Sequence, residues 1–187
     1  MNTDASPGRS PDAGLHGVHA GHGEIAHEPA PETLDRYRAA YADARPSAGG
    51  KVVTVELRSA ETEWEFVPGR RTRAWAYNGQ VPGPVLEANV GDVLEVRLQN
   101  SLPEPTTIHW HGLRVPAAMD GHEMVQHPIG PGETFTYRFA LPDAGTFWYH
   151  PHINETVQLE RGLYGALVVR GPDDPEFDVE RVLVLDD

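Results

Sequence analysis

Asp92-Val93-Leu94-Glu95-Val96-Arg97-Leu98-Gln99 alternates apolar and polar residues over its length, with Leu94, Val96 and Leu98 on one face and Glu95 and Arg97 on the other. Side chains of an extended strand point alternately to its two faces, so this stretch reads as a half-buried β-strand. The same period recurs on both sides of it. Lys51 to Arg58 sets Val53, Val55 and Leu57 together, and Thr62 to Val67 pairs Trp64 with Phe66. Arg71 to Tyr77 and a short Val85 to Ala88 follow, separated by the turn-rich Asn78-Gly79-Gln80-Val81-Pro82-Gly83-Pro84. Downstream come Thr106 to His111, Glu133 to Leu141 (Phe135, Tyr137 and Phe139 on one face), Gly145 to His150, Ala166 to Arg170 and Arg181 to Leu185. Short strands with regular Gly, Pro and Asn punctuation predict an all-β Greek-key sandwich or small barrel.

Two of these segments carry histidine pairs, His109-Trp110-His111-Gly112 and His150-Pro151-His152. A spacing of one residue puts both members of a pair on the same face of a strand. Two such strands side by side would present four imidazoles from one surface. Neutral imidazole suits Cu, Zn, Fe and Ni, and the sequence has no cysteine to make a site thiolate-rich. A single pair could equally be structural; two pairs in aromatic, strand-like sequence point to metal.

The rest of the composition sets bounds. A chain of 187 residues with 39% apolar content has material for one core. Fifteen basic against 28 acidic residues leave a formal charge of -13, which argues against nucleic acid as a partner. No apolar run is long enough to span a bilayer, so no membrane span is expected. The absence of cysteine excludes disulfides and copper–thiolate electron-transfer centres.

Residues 1–30 are rich in Gly, Pro, Ala, Asp and His and read as a disordered tail. No basic start followed by an apolar stretch is visible there, so no secretory signal is expected. His16, His19, His22 and His27 could bind metal loosely, although ordering such a segment costs entropy. Residues 31–50 read as a short amphipathic helix and a linker. Leu34, Tyr37 and Tyr41 share a face, Pro31 suits the first turn, Pro46 ends the run, and Ser47 to Gly50 connects to the domain at 51–187.

The motifs then combine. Tyr77-Asn78-Gly79-Gln80-Val81-Pro82-Gly83-Pro84, Val90-Gly91-Asp92, His109-Trp110-His111-Gly112, Pro131-Gly132-Glu133, Trp148-Tyr149-His150-Pro151-His152 and Gly162-Leu163-Tyr164-Gly165 occur in this order. Together they resemble the N-terminal, plastocyanin-like cupredoxin domain of a laccase-type multicopper oxidase, over about residues 51–187. The resemblance implies copper as cofactor and dioxygen as co-substrate, with His109 a type 2 copper ligand and His111, His150 and His152 type 3 ligands of a trinuclear centre. Met119-Asp120-Gly121 also fits, and Asp120 resembles an acidic residue that helps deliver protons near the cluster. The alternative for Asp120 is organisation of its turn with Gly121. His122 and His127 match no ligand position and read as loop surface, with His122 close enough to Asp120 to touch the cleft. Trp110, Trp148 and Tyr149 read as packing that fixes the ligand strands.

The sequence also departs from the complete family. Pro151 stands where a domain with its own type 1 copper has cysteine, and Val182-Leu183-Val184-Leu185-Asp186-Asp187 resembles the run out of the first domain into the second. The chain is therefore expected to supply half of a trinuclear site. C-terminal cupredoxin domains or another subunit would have to complete it, and oxidoreductase activity would depend on them. A stand-alone copper-binding or buffering protein is the alternative, and a non-catalytic interaction module a third reading. Relatives are usually periplasmic or extracellular; the sequence leaves the compartment and the reducing substrate open.

Overall fold

A computed structural model describes residues 44–185. The tail expected over 1–30 and the body of the helix expected from Pro31 lie outside the described residues. Among the described residues there are eight strands: β1 (Val52–Val67), β2 (Arg70–Tyr77), β3 (Leu86–Asn89), β4 (Val93–Ser101), β5 (His109–His111), β6 (Thr134–Ala140), β7 (Gly145–His150) and β8 (Gly165–Arg170). A 3-10 turn at Ala117–Met119 and a short helix α1 (Glu155–Glu160) complete the described elements.

The strands make two four-stranded sheets, ordered β2-β1-β4-β6 and β3-β8-β7-β5. Within them β1–β4 and β3–β8 run parallel, and the remaining neighbours are antiparallel. The alternation in β4 resolves as expected, Leu94, Val96 and Leu98 being fully buried while Arg97 faces solvent. These side chains meet Leu57, Phe135, Tyr137 and Phe139 from their own sheet and Trp110, Tyr149, Leu167 and Val169 from the other. The fold is an all-β sandwich with one main apolar core. Burying such side chains contributes about 1.5–3 kcal/mol each before the entropy of ordering them is counted.

Three details differ from the sequence reading. The two strands expected over Lys51–Arg58 and Thr62–Val67 are one, because β1 pairs with β4 through Ala60 and with β2 from Ser59 onward. Ser59 at the handover is buried, and its hydroxyl lies 3.2 Å from Asn100 Oδ1. The strand expected over Arg181–Leu185 is absent: that segment is irregular, with Leu183 80% and Leu185 94% exposed, and no described strand pairs with it. Helix α1 had no sequence signal, its periodic stretch being only six residues. The linker is a turn tied to the sandwich, Ser47 N–H donating to Gly91 O (2.8 Å) and Gly50 N–H to Ser47 O (2.9 Å). No helix among the described residues is long and apolar enough to cross a membrane.

Candidate metal centre

Strands β5 and β7 are adjacent and antiparallel, and their register sets His109 opposite His150 and His111 opposite Trp148. Trp110, between the two histidines of the first pair, points the other way into the core, against Tyr137 and Phe139 at ring-centroid distances of 5.6 and 5.1 Å. The alternation of a strand thus spends the odd residue on packing and frees both imidazoles. β7 ends at His150; Pro151 has no N–H to continue a ladder. His152 lies beyond the strand, where its N–H donates to the buried Thr107 hydroxyl at 3.1 Å.

All four rings come together. His109 is central, with centroids 5.5 Å from His111, 5.3 Å from His150 and 5.0 Å from His152. One ligand atom from each of His109, His111 and His150 can be chosen so that all lie within 4.8 Å of one another. The four do not share one exposed surface. His111 is exposed, His109 and His152 are half-buried, and His150 is buried. That corrects the expectation that the imidazoles simply project from the sandwich: His150 sits under Trp148, whose ring stacks on it at 4.0 Å and on His111 at 4.9 Å. Trp148 therefore packs on the imidazoles, whereas Trp110 and Tyr149 pack in the core.

The hydrogen bonds decide which nitrogens are available. A carbonyl can only accept, so the His109 Nδ1–H donates to Asp120 O (2.9 Å) and the His150 Nδ1–H to Pro151 O (2.8 Å). The lone pair of each ring is then on Nε2. Such outer hydrogen bonds fix tautomer and ring orientation in metal sites. His111 Nδ1 lies 3.2 Å from His150 Nε2. Two nitrogens each about 2.0 Å from one tetrahedral ion sit about 3.3 Å apart, so this separation fits a shared ion. An all-imidazole, thiolate-free donor set suits a borderline transition-metal ion.

Charge around the rings is uneven. The Asp120 carboxylate, 3.4 Å from His109 Nδ1, raises the His109 pKa, and the hydrogen bond to His109 in turn lowers that of Asp120. Burial lowers the pKa of His150, against a weaker opposing pull from the Pro151 carbonyl and from Glu155, whose carboxylate is 3.5 Å away. Asp120 caps the 3-10 turn, and Gly121 after it has φ +82°, so the residue serves its turn and faces the histidines at once.

Hydrogen bonds that the spacing did not reveal support the ligand strands. The Tyr137 hydroxyl accepts from Ile108 N–H (2.7 Å) and from Gln126 Nε2 (2.9 Å), anchoring the entrance to β5. Gln158 on α1 is buried and joins Thr106 Oγ1 (2.7 Å), Glu104 Oε1 (2.8 Å) and Pro105 O (2.9 Å). His127 is exposed, as expected, and His122, expected beside Asp120 at the cleft, is half-buried with its ring 4.6 Å from that of His152. An apolar groove of about 440 Å³ between Phe147, Trp148, Leu159, Tyr164 and Val182–Leu185 adjoins the centre without containing any of its histidines.

Known proteins resemble this chain in sequence and in fold. The family model described as multicopper oxidase matches residues 58–174. The chain is 41% identical over 145 residues to multicopper oxidase MmcO of Mycobacterium tuberculosis, covering 77% of this chain and 28% of that protein. It is 39% identical over 124 residues to copper resistance protein A of Escherichia coli, covering 65% of this chain and 20% of that protein. Among solved structures, a multi-copper oxidase from Pseudomonas thermotolerans superposes with TM-score 0.66 at 49% identity, over 69% of this chain and 32% of that one. A metallo-oxidase from Campylobacter jejuni gives 0.61 at 42% identity, over 66% and 26%. The chain spans about a quarter of the length of the curated relatives it matches. With its sandwich fold and its histidine cluster, the chain belongs to the multicopper oxidase family.

Proposed function

We propose that this chain is the copper-binding N-terminal domain of a multicopper oxidase, its cupredoxin-like unit spanning residues 51–187, and that it contributes half of a trinuclear copper site. In this reading His109 holds the type 2 copper, and His111, His150 and His152 hold type 3 copper. The observation that carries it is the convergence of the rings, above all His111 Nδ1 and His150 Nε2 at 3.2 Å. Copper held there would supply the redox centre at which dioxygen is reduced to water while a substrate is oxidised.

The chain's own groups orient and protect that centre. The carbonyls of Asp120 and Pro151 keep the lone pairs of His109 and His150 on Nε2, that of His150 facing His111 Nδ1. Trp148 shields one side of His111 and His150. The Asp120 carboxylate, poised beside His109, is placed to hold and pass a proton there. The sequence contains no cysteine, so a thiolate-ligated copper that feeds electrons to the site must be held by other domains or another subunit. The chain alone is accordingly inactive as an oxidase.

The test is to load the chain with copper and supply dioxygen and a one-electron reductant, alone and with the remaining cupredoxin domains of a relative. Copper binding without turnover, and turnover only on complementation, is expected. Sustained four-electron reduction of dioxygen by the chain alone would refute the half-site.

A further inference from the structure

We infer that His122 is a positioning residue for His152, holding that imidazole in the centre without itself ligating metal; this rests on the copper-site reading above. The ring of His152 has two aromatic neighbours, His109 at 5.0 Å and His122 at 4.6 Å, both approaching steeply (84° and 63° between planes). Unlike His109 and His150, His152 has no ring nitrogen bonded to a carbonyl among the described contacts. Its backbone is held by Thr107, and its ring is steadied by these two neighbours.

His122 is built to stay where it is. Gly121 before it lies so close to Ile108 that a Cβ there would meet the Ile108 carbonyl oxygen at 2.1 Å. After it, the N–H groups of Val125 and Gln126 both donate to His122 O at 3.0 Å, and Gln126 is buried with its amide on the Tyr137 hydroxyl. The loop is pinned to the core on both sides of the ring. The ring itself is fixed by Met124 N–H, which donates to His122 Nδ1 at 3.1 Å. Nδ1 therefore carries the lone pair, and in the neutral ring the proton is on Nε2. That is the reverse of His109 and His150, whose Nε2 carries the lone pair. A ring whose Nδ1 accepts and whose Nε2 is protonated offers a metal nothing, but it makes a firm edge for a neighbouring ring to rest against.

The experiment compares the full chain with His122→Ala, His122→Phe and His152→Ala, using Cu(II) titration and NMR of the imidazole resonances in the metal-free protein. His122→Ala should shift the His152 ring signals and weaken copper binding about tenfold, with the number of bound ions unchanged, as expected for a group that supports a ligand. His122→Phe, which keeps a ring but no nitrogen, should restore most of the affinity. Loss of as much copper in His122→Ala as in His152→Ala would make His122 a ligand and overturn the inference. Unchanged affinity and unchanged His152 signals would overturn it as well. Absence of copper binding by the unsubstituted chain would instead refute the copper-site reading, while the metal-free NMR comparison would still decide whether His122 positions His152.

Discussion

Replacing Gly121 with Ala tests whether the loop carrying Asp120 is seated on the first histidine strand as tightly as the structure requires. Gly121 has φ +82°, and a Cβ would lie 2.1 Å from Ile108 O, 2.5 Å from Ile108 C and 2.8 Å from His109 N. All three are backbone atoms, so no rotamer change can make room. The left-handed conformation costs an alanine about 1–2 kcal/mol. Forcing a methyl into a filled site adds about 1–3 kcal/mol, for a total of about 2–5 kcal/mol. Gly132 supplies the control, because its φ is +83° and a Cβ there meets nothing within 4 Å. Gly132→Ala should lose only the conformational part, about 1–2 kcal/mol. Effects on the unfolded chain are common to both variants and cancel in the comparison. Urea unfolding measures the difference through the midpoint, provided the slope is unchanged. Because the displaced loop also carries the carbonyl that orients His109, copper affinity of Gly121→Ala should fall about 10–100-fold while that of Gly132→Ala is kept. Equal losses of stability in the two variants would show that the Ile108 carbonyl is no obstacle and that the loop is not seated as described.

Tyr137→Phe removes the acceptor of two buried donors, Ile108 N–H and Gln126 Nε2–H, and should cost about 1–3 kcal/mol in urea unfolding; a neutral effect would mean that neither bond is formed. Asp120→Asn takes away the carboxylate that raises the His109 pKa, so NMR titration of the metal-free protein should show His109 losing its proton at lower pH, and an unmoved titration would place the carboxylate elsewhere. Burial by itself would raise the pKa of Asp92, but N–H groups of Lys51 (2.8 Å) and Asn89 (2.9 Å) bond its carboxylate and hold the value below the ordinary one. A lowered carboxylate contributes stability that is present above its unfolded value, about 3.9, and is lost as pH falls through the folded one. Acid unfolding should therefore lose a component in Asp92→Asn, and an identical acid limb in both proteins would contradict that assignment.

Much of the sandwich was legible because burial imposes a period. Leu94, Val96 and Leu98, or Phe135, Tyr137 and Phe139, must share a face if only one face of the sheet is covered, and they do. The ends of elements were less legible. Nothing in Ser59-Ala60-Glu61 forbids a strand, so whether it turns or continues depends on β4 and β2, which lie far off in the chain. Val182 to Leu185 has strand-like composition, but an extended segment becomes a strand only where a neighbour accepts its hydrogen bonds. The first histidine pair could be read from its spacing, since period two sets His109 and His111 on one face and the β5–β7 ladder brings His150 beside them; His152 lies beyond β7 and is held instead through the Thr107 hydroxyl. The depth of His150 under Trp148 could not be read that way, because both residues belong to one strand and their stacking depends on rotamers. The contacts of His122 with His152 and of Gln158 with Thr106 were illegible for a further reason: the partners lie 30 and 52 residues apart in the chain and share no motif.

Whether imidazoles from the two strands share copper is decided by one titration. Cu(II) is added to the full chain with His16, His19, His22 and His27 replaced by Ala, and to the same chain also carrying His111→Ala. His111 is exposed, so its loss should leave the fold, followed by circular dichroism, unchanged. The first chain is expected to bind copper with nitrogen hyperfine structure from imidazole in its electron paramagnetic resonance spectrum. The second should lose most of that affinity, because His111 Nδ1 faces His150 Nε2 at 3.2 Å. Equal affinity and the same spectrum in both chains would contradict the shared site.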